Sequence, residues 1–360
     1  MNSERGLILQ AEQRLRELLA PLPLLLERSV AEQAGVDLAL DLREGDRHWV
    51  LVCEVESNGQ PRHIRGAAFQ AREMAQRMSA SGPTDSVATY PLVVAPFISA
   101  ASGAICRELG VGYADLAGNC RLAFGTVYIE KSVAGNPFHV KREQRSLFAP
   151  KSARVLRIML GAPSREWKVA ELAERAGVSY GQVSKLRQAL LEREWAAGRW
   201  GGVQLAQPRA LLEAWRQAYV PLRTARNRYY TLLHGEALQQ TLREVFLAPG
   251  GQVLLASFSA ARWLAPYARV AGEFFTTDRA GEARLKAALK LEPAAKGENI
   301  TIDLASDEGV FQDAMEPAPG LRCTGLIQTW LDLAAAGERG GEAAQHLFDE
   351  RIAPLWKSEA

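Results

Sequence analysis

Cysteine is scarce in this 360-residue chain. The four cysteines are Cys53, Cys106, Cys120 and Cys323, and no two of them form a C-x-x-C pair. This spacing argues against a disulfide framework and against a cysteine-based zinc site. It is typical of a protein that works in a reducing cytoplasm.

Long apolar runs are also missing. The leucine-rich stretch at residues 18–26 is short, follows charged residues and is interrupted by Pro21 and Pro23, so it is not a membrane span. No N-terminal signal peptide is recognisable. We therefore expect a cytoplasmic protein without a membrane partner, and its length allows two or three domains.

Net charge is small, but the charges are distributed unevenly. The formal net charge of the whole chain is +2. Residues 1–140 carry 13 Lys and Arg against 16 Asp and Glu, and residues 229–360 carry 12 against 18. Residues 141–228 carry 18 against 7, a local net charge of +11. Such an excess is expected of a region that binds a polyanion, the alternative being a solvated basic surface without a partner.

Residues 1–135 alternate between helix-like and strand-like segments. Leucines at helical spacing predict one or two helices in residues 3–34. The runs "VDLALDL" and "HWVLVCEVE" predict an antiparallel strand pair joined by the turn "REGD". Asp115 and Asn119, in "YADLAGNC", are expected to fix a later turn through side-chain to backbone hydrogen bonds. The alternation of strands and helices predicts a compact α/β domain.

Three further regions follow. Residues 136–150 contain prolines and basic residues without apolar periodicity, which predicts a basic linker. Residues 151–208 are expected to form a small helical domain. Residues 209–360 are expected to form a C-terminal α+β domain, with strands at "GQVLLAS" and "NITIDLA". The expected fold class is therefore α/β multidomain.

The stretch "ELAERAGVSYGQVSKLRQALLERE", residues 171–194, has the pattern of a helix-turn-helix unit. Gly177 is expected at the corner in a left-handed conformation, followed by Val178 in the core and Ser179 as the cap of the second helix. In that helix Val183, Leu186 and Leu190 recur at the spacing of one buried stripe. The next segment, "WAAGRWGGVQLA", predicts a β-hairpin wing with Arg199 at its tip. The whole unit resembles the winged helix-turn-helix domains of bacterial regulators.

Polar and basic side chains occupy the outer face of the second helix. Glutamine can pair with adenine, lysine and arginine with guanine or phosphate, and hydroxyl groups with either. We therefore predict that this face enters a DNA groove. The predicted contact residues are Ser179, Tyr180, Gln182, Ser184, Lys185, Arg187, Gln188, Arg199, Arg154 and Lys151, with further basic flanks at Lys141, Arg142, Arg145 and Arg157. Because winged helices also serve as protein-interaction modules, contact with a protein instead of DNA is an alternative.

The segments "GVD" at residues 35–37 and "CEVES" at residues 53–57 resemble the PD-(D/E)XK nuclease frame. In that frame two acids, here Asp37 and Glu54, hold Mg²⁺, and a lysine two residues after the second acid positions or activates water. Gln70, on the next predicted helix, corresponds to a glutamine that some members carry. Glu56 stands where the lysine is expected and adds negative charge beside the incoming phosphate.

Because that lysine is missing, we expect a degenerate nuclease-like scaffold. We assign no catalytic residue, metal or cofactor to it, and keep Asp37, Glu54, Glu56 and Gln70 as the candidate positions. An active metal-dependent nuclease, guided to DNA by the winged helix, is the alternative.

Two C-terminal segments, "LHGEALQQTL" and "GLIQTWLDLAAAGERGGEAAQHLFDERI", carry a further resemblance. Together with "GENITIDLASDEGVF" and the winged helix, they resemble the AbiEi-type antitoxin and transcriptional-regulator family of type IV toxin–antitoxin systems. The resemblance extends over residues 154–356. It implies a DNA-binding repressor of its own operon that counteracts a nucleotidyltransferase-like toxin. Trp330, in this segment, is expected to pack in the core.

These observations favour a regulator that binds double-stranded DNA, with a homodimer as a possible state because such regulators bind paired half-sites. The partner that the resemblance adds is a nucleotidyltransferase-like toxin. The competing hypotheses are a nuclease and an interaction protein that contacts the toxin instead of DNA. Salt dependence distinguishes DNA binding from protein contact, because phosphate contacts weaken steeply with added salt.

Overall fold

The computed structural model describes residues 4–29, 35–81, 87–133, 147–198, 202–267 and 272–358. The chain divides into two compact units, one of Met1–Val140 with Glu192–Glu194 and the other of Lys141–Leu191 with Trp195–Ala360. Both units combine helices with β-sheet, which confirms the expected α/β multidomain class. No helix within the described ranges has the length and apolar character needed to cross a membrane.

The first unit is built on a seven-stranded sheet whose strands follow chain order from β1 to β7. Its described elements are α1 (Glu4–Leu19), β1 (Leu25–Arg28), β2 (Leu38–Glu44), β3 (Arg47–Val55), α2 (Pro61–Ser81), β4 (Val87–Ala95), α3 (Ala100–Glu108), β5 (Gly112–Asp115), β6 (Cys120–Phe124) and β7 (Val127–Lys131). Strand β4 runs parallel to β3 and β5, and the other neighbours pair antiparallel.

Helices pack on both faces of this sheet because its central strands are apolar on both sides. On one face Leu40 and Leu51 share a core with Leu15 of α1. On the other face Val52 packs with Ala75 of α2. Consecutive residues of a strand point to opposite faces, so a strand covered on both sides reads as a continuous apolar run. The run "HWVLVCEVE" is such a strand, and the antiparallel pair predicted from it is confirmed.

The second unit contains a three-stranded sheet of order β8-β10-β9 and a seven-stranded mixed sheet of order β14-β11-β15-β13-β12-β17-β16. Its described elements are α4 (Pro150–Gly161), β8 (Trp167–Lys168), α5 (Val169–Ala176), α6 (Tyr180–Glu192), β9 (Ala196–Ala197), β10 (Gly202–Leu205), α7 (Pro208–Ala218), β11 (Arg223–Tyr230), α8 (Gly235–Leu247), β12 (Val253–Leu255), α9 (Ser257–Leu264), β13 (Glu273–Thr277), α10 (Arg279–Leu289), β14 (Glu292–Pro293), β15 (Ile300–Ala305), a 3₁₀ turn (Glu308–Phe311), β16 (Met315–Ala318), β17 (Leu321–Cys323), α11 (Leu326–Ala334), α12 (Glu338–Leu347), a π-helical turn (Phe348–Ile352) and α13 (Ala353–Ser358).

One apolar core extends through the whole second unit. Leu156 of α4 and Leu190 of α6 belong to the same buried cluster as Trp215 of α7, Phe275 of β13 and Trp330 of α11. Residues on both sides of the predicted boundary at 208 and 209 therefore share a core. The helical region 151–208 and the region after it form one compact body.

The helical prediction for residues 3–34 is wrong for residues 25–28, and its last residues, 30–34, lie outside the described ranges. Helix α1 ends at Leu19, and Leu25–Arg28 forms a strand that pairs antiparallel with β2. Pro21 and Pro23 lie between the two elements, where proline lacks the amide that a continuing helix requires.

The predicted linker at residues 136–150 falls largely outside the described residues. Within its described end, Leu147 and Phe148 are buried in the core of the second unit. The Phe148 ring stacks on Trp215 with centroids 5.7 Å apart, and Pro150 begins α4. The linker prediction is therefore wrong for this end, because two apolar residues separated from any periodic run gave no signal of burial.

Candidate functional site

The corner between α5 and α6 has the expected backbone geometry. Gly177 follows α5 with φ 62° and ψ 42°, a left-handed conformation that costs glycine little. The amides of Gly177 and Val178 donate to Glu174 O and Ala173 O at 3.2 and 3.0 Å. Val178 packs against the core, as predicted.

Ser179 caps α6 in a reciprocal exchange with Gln182. The Gln182 amide donates to Ser179 Oγ at 3.4 Å, and the Ser179 amide donates to Gln182 Oε1 at 3.4 Å. This arrangement is a capping box, which satisfies amides that the helix alone leaves without partners. The predicted capping role of Ser179 is confirmed. Gln182 was expected to read bases. In the structure its side chain instead takes part in the cap of α6.

One face of α6 is buried and the opposite face is accessible. Val183, Leu186 and Leu190 are at most 5% exposed, which confirms the predicted apolar stripe. The predicted contact residues that are exposed on or beside α6 are Ser179, Tyr180, Gln182, Ser184, Lys185 and Gln188. The fold therefore brings most of the predicted DNA-contact residues to one accessible surface, which we call the α6 face.

Arg187 lies at the edge of the α6 face and is half-buried. Its Nε donates to Gly202 O, at the start of β10, at 3.3 Å. Strands β9 and β10 pair antiparallel through Ala196 and Leu205, which confirms the predicted hairpin. Arg199, predicted at the hairpin tip, lies outside the described residues. Arg187 thus joins α6 to the hairpin.

Two of the three cations of α4 are not available for the basic flank that the sequence suggested. Lys151 is exposed in the first turn of α4. Arg154 is held by Asp307 in a two-pronged ion pair, with Nε and Nη2 each 2.8 Å from a carboxylate oxygen. Arg157 is 3% exposed and lies 3.3 Å from Asp313. We therefore leave Arg154 and Arg157 out of the candidate DNA surface; Lys141, Arg142 and Arg145 lie outside the described residues.

In the first unit, the four residues of the nuclease-like pattern line one cavity. Asp37, Glu54, Glu56 and Gln70 surround a space of about 1090 Å³. The strand register explains why they meet. Leu38 pairs with Cys53, so Asp37 just before β2 and Glu54 near the end of β3 lie at the same edge of the strand pair.

The carboxyl groups of Asp37 and Glu54 lie close enough to influence each other's charge. Asp37 Oδ2 also accepts the Val55 amide at 2.9 Å. Burial, followed by the charge of Asp37, raises the pKa of Glu54 to about 7. Perturbed carboxyl pKa values in a cavity are a feature of functional sites, because burial and like charges are what tune catalytic and binding groups.

Helix α1 contributes a second polar wall to this cavity, which the sequence analysis missed. Gln10, Gln13, Arg14 and Glu17 all line it. Their spacing of three and four residues places them on one side of the helix. Arg14 Nε also donates to Asp115 O at 3.2 Å. The spacing predicts a polar helix face, but it carries no information on which strand edge that face meets.

The cavity offers a metal ion two paired carboxylates. Among the described residues, no group of three His, Cys, Asp or Glu side chains comes together in a metal-binding arrangement. Mg²⁺ is commonly held by one or two carboxylates and keeps several waters, so the Asp37–Glu54 pair fits such an ion. Glu56 lines the same cavity where the nuclease frame has lysine. Asp37 and Glu54 thus come together as the pattern predicts, and a glutamate stands at the position of the lysine.

Comparison of the chain with protein-family models, with curated proteins and with solved structures found no match.

Proposed function

We propose that this chain is a DNA-binding transcriptional regulator that reads double-stranded DNA with the α6 face. The observation that carries the proposal is the division of α6 into a buried apolar stripe and an accessible polar face. The order α4, β8, α5, α6, β9, β10 corresponds to that of a winged helix-turn-helix domain, in which the second helix of the pair enters the major groove.

The chemistry of the α6 face suits a polyanion. Lys185 supplies an exposed positive charge, and Tyr180 and Ser184 supply hydroxyl groups that bond phosphates or base edges. The amide end of α6 adds a favourable local potential for a nearby phosphate. Tyr180 is 63% exposed although it is aromatic, which suits a side chain that is covered on binding.

The proposed contact set is narrower than the one predicted from the sequence. Tyr180, Ser184, Lys185 and Gln188 are proposed to contact DNA, with Lys151 as a phosphate contact. Ser179 and Gln182 build the cap, and Arg187 joins the hairpin. These three residues hold the helix in place, so their substitution would reduce DNA binding indirectly.

We propose that the protein is an antitoxin-type repressor of its own operon. Its proposed partners are double-stranded DNA and a nucleotidyltransferase-like toxin. This part of the proposal is supported by the resemblance of residues 154–356 to AbiEi-type regulators. A homodimer on an inverted repeat would follow from the way such regulators pair their half-sites.

The proposal is tested by recovering the fragments of the protein's own genome that it retains, and by measuring their affinity across a salt series. We expect an inverted repeat beside the protein's own gene, and an affinity that falls linearly on logarithmic axes with salt. Lys185→Ala should weaken DNA binding several-fold. It should also lower the slope of log affinity against log salt concentration by about one, the value for one phosphate contact.

Lys296→Ala is the matched control, because Lys296 is also exposed but lies between β14 and β15, away from α6 in the sequence. It should bind like the native protein. Salt-independent retention, or equal binding by the Lys185→Ala and native proteins, would count against DNA reading by α6. Retention of a toxin protein without DNA would favour the interaction-module alternative.

A second candidate function is supported by the cavity of the first unit, where all four nuclease-pattern residues meet. We propose as this alternative a metal-dependent nuclease that its winged helix brings to DNA. Asp37 and Glu54 would hold a divalent cation, whose chemistry is to stabilise charge on phosphate oxygens and to lower the pKa of bound water. Gln70 would orient the substrate.

This alternative is tested with two measurements on the full chain. Plasmid DNA is incubated with Mg²⁺ or Mn²⁺, and the thermal midpoint is measured with and without the same ions at pH 8. Cleavage and an ion-dependent rise in the midpoint, both abolished by Glu54→Gln and retained by the exposed control Glu73→Gln, would support it. A thermal midpoint that rises with the ion, without cleavage, would identify a cation-binding scaffold. If the ion causes neither cleavage nor a rise in the midpoint, the nuclease alternative is ruled out.

A further inference from the structure

Gly181 lies in the first turn of α6, directly after Tyr180. It is exposed, and its φ lies outside the left-handed region that favours glycine. A Cβ built on Gly181 meets no heavy atom within 4 Å among the described residues, apart from its chain neighbours and the backbone of the helix itself. Neither backbone geometry nor packing in the described part of the chain therefore requires a glycine here.

A glycine without an internal reason makes a helix less stable than alanine would. Glycine loses more conformational freedom on folding than any other residue, so it disfavours the helix. Replacing glycine with alanine stabilises a protein wherever alanine fits the native backbone, and Gly181 meets that condition. A use that offsets this loss is to let a ligand approach the backbone closely.

Gly181 stands at one end of a stripe on the α6 face. Ser184, Lys185 and Gln188 follow it by three, four and seven residues, which is the spacing of one side of a helix. All four residues are exposed. Because Gly181 has no side chain, the backbone itself forms the outer surface at this end of the stripe.

The cap of α6 holds this part of the backbone in a defined position. Gln182 Oε1 accepts hydrogen bonds from the amide and the hydroxyl of Ser179, both at 3.4 Å. The side chain that follows Gly181 is thus held against the start of the helix. The backbone at Gly181 is therefore a fixed surface against which a partner can fit.

We propose that Gly181 is the point at which duplex DNA comes closest to α6. The edges of base pairs in the major groove lie against its Cα, and Ser184 and Lys185 contact the DNA one turn farther along the helix. In helix-turn-helix proteins the N-terminal residues of the second helix contact base edges. This inference rests on the proposed function. It adds that binding depends on the shape of the helix at residue 181 as well as on the charge at residue 185.

The inference is tested on the full chain with the genomic fragment that it retains, by fluorescence anisotropy. We expect Gly181→Ala to weaken DNA binding about tenfold, comparable with the effect of one mismatched base pair. Gly181→Leu should abolish specific binding. Because Gly181→Ala removes no charge, its slope of log affinity against log salt concentration should equal that of the native protein, whereas Lys185→Ala lowers this slope.

Gly341 provides the matched control, because it is an exposed glycine of α12 with an equally open Cβ position. Gly341→Ala and Gly341→Leu should bind DNA like the native protein. Gly181→Ala and Gly341→Ala should both raise the thermal midpoint by about 1–3 °C. A variant that is more stable than the native protein and yet binds DNA less tightly does not owe its weaker binding to misfolding.

Native affinity in Gly181→Ala and Gly181→Leu, with Lys185→Ala still weakened, would overturn this inference and leave the proposed function standing. Absence of salt-dependent DNA binding by the native protein would overturn both. If Gly181→Leu does not fold, Gly181→Ala decides the question alone. Equal weakening by the Gly341 variants would also overturn the inference, because the effect would then not belong to the α6 face.

Discussion

Ser179 and Gln182 exchange two hydrogen bonds across the first turn of α6, and this exchange determines how well the helix begins. Replacing a serine cap with alanine removes the acceptor for a first-turn amide, at a cost of about 1 kcal/mol. We therefore expect Ser179→Ala to lower the free energy of unfolding by about that amount, measured by urea denaturation. Ser184→Ala, on the exposed face of the same helix, should change it little.

Glu54 makes the stability of the first unit depend on pH. The pKa of its carboxyl rises from the ordinary value of 4.5 to about 7 in the folded protein. Between these values the folded state holds more protons than the unfolded state, so stability falls as pH rises through this window. The contribution of the protonated Glu54 carboxyl to the free energy of unfolding is fully present below pH 4.5 and is lost above about pH 7.

Glu54→Gln keeps the shape of this side chain and removes its titration. We expect the variant to have a higher thermal midpoint than the native protein at pH 8, and a smaller change in midpoint between pH 5 and pH 8, as measured by differential scanning calorimetry. Glu73→Gln, at an exposed position of α2, should keep the native pH dependence. Equal pH profiles for the native and Glu54→Gln proteins would show that another group is responsible.

The sequence did not predict which individual basic residues are available to contact DNA. Lys185, Arg154 and Arg187 all look like DNA-contact residues in a basic segment. The structure leaves Lys185 exposed, pairs Arg154 with Asp307 and joins Arg187 to Gly202. Asp307 is 153 residues away from Arg154 along the chain, so no local pattern predicts the pair.

At the scale of elements, the turn between β5 and β6 is organised by one buried carboxylate. Asp115 Oδ1 accepts the amides of Gly118 and Asn119 at 2.7 and 2.8 Å. Its Oδ2 accepts the Ile98 amide at 2.8 Å and the Asn119 side-chain amide at 2.7 Å. The turn role predicted for Asp115 and Asn119 is thus confirmed. The contact with Ile98 adds a link to the loop before α3.

Replacing Asp115 leaves four donors without their acceptor, and three of these hydrogen bonds are buried. We expect Asp115→Ala to lower the free energy of unfolding by about 3 kcal/mol or more, since each unpaired buried donor costs about 1–3 kcal/mol. Chemical denaturation of the purified protein measures the change. Asp46→Ala, in the exposed turn after β2, is the control and should stay close to the native value.

Elements with a strong period were predictable, and short or mixed ones were not. The apolar stripe of α6, the strand pair β2–β3 and the corner at Gly177 each agree with the sequence pattern. Strand β11, "RTARNRYY", carries three arginines and gave no strand signal. It is a strand because its backbone pairs with β15, a contact that sequence periodicity does not contain.

At the scale of the whole molecule, the core of the second unit determines which pieces of the chain can fold. Leu211, Leu212 and Trp215 of α7 are buried in the same cluster as the residues of α4 and α6. A fragment that ends at residue 208 loses this cover and exposes its own apolar stripe. Because stability depends on burying that surface, we expect residues 151–208 not to fold independently.

We expect a fragment of residues 141–360 to unfold in one cooperative transition and residues 151–208 to lack one, as measured by circular dichroism on heating. A fragment of residues 141–218, which includes α7, tests whether packing of α7 against the helical region is sufficient for it to fold. A cooperative transition in residues 151–208 alone would contradict this account and restore the boundary at residue 208.

The sequence by itself determined the local features of this protein: its periodic helices and strands, the left-handed glycine corner, the capped start of α6 and the concentration of cations in residues 141–228. These depend on backbone geometry, side-chain spacing and composition, which are properties of neighbouring residues. The tertiary structure decided which cations stay exposed and which polar face of α1 meets Asp37 and Glu54. Those outcomes depend on contacts between distant segments, because burial and ion pairing are set by what packs against a residue and not by what precedes it.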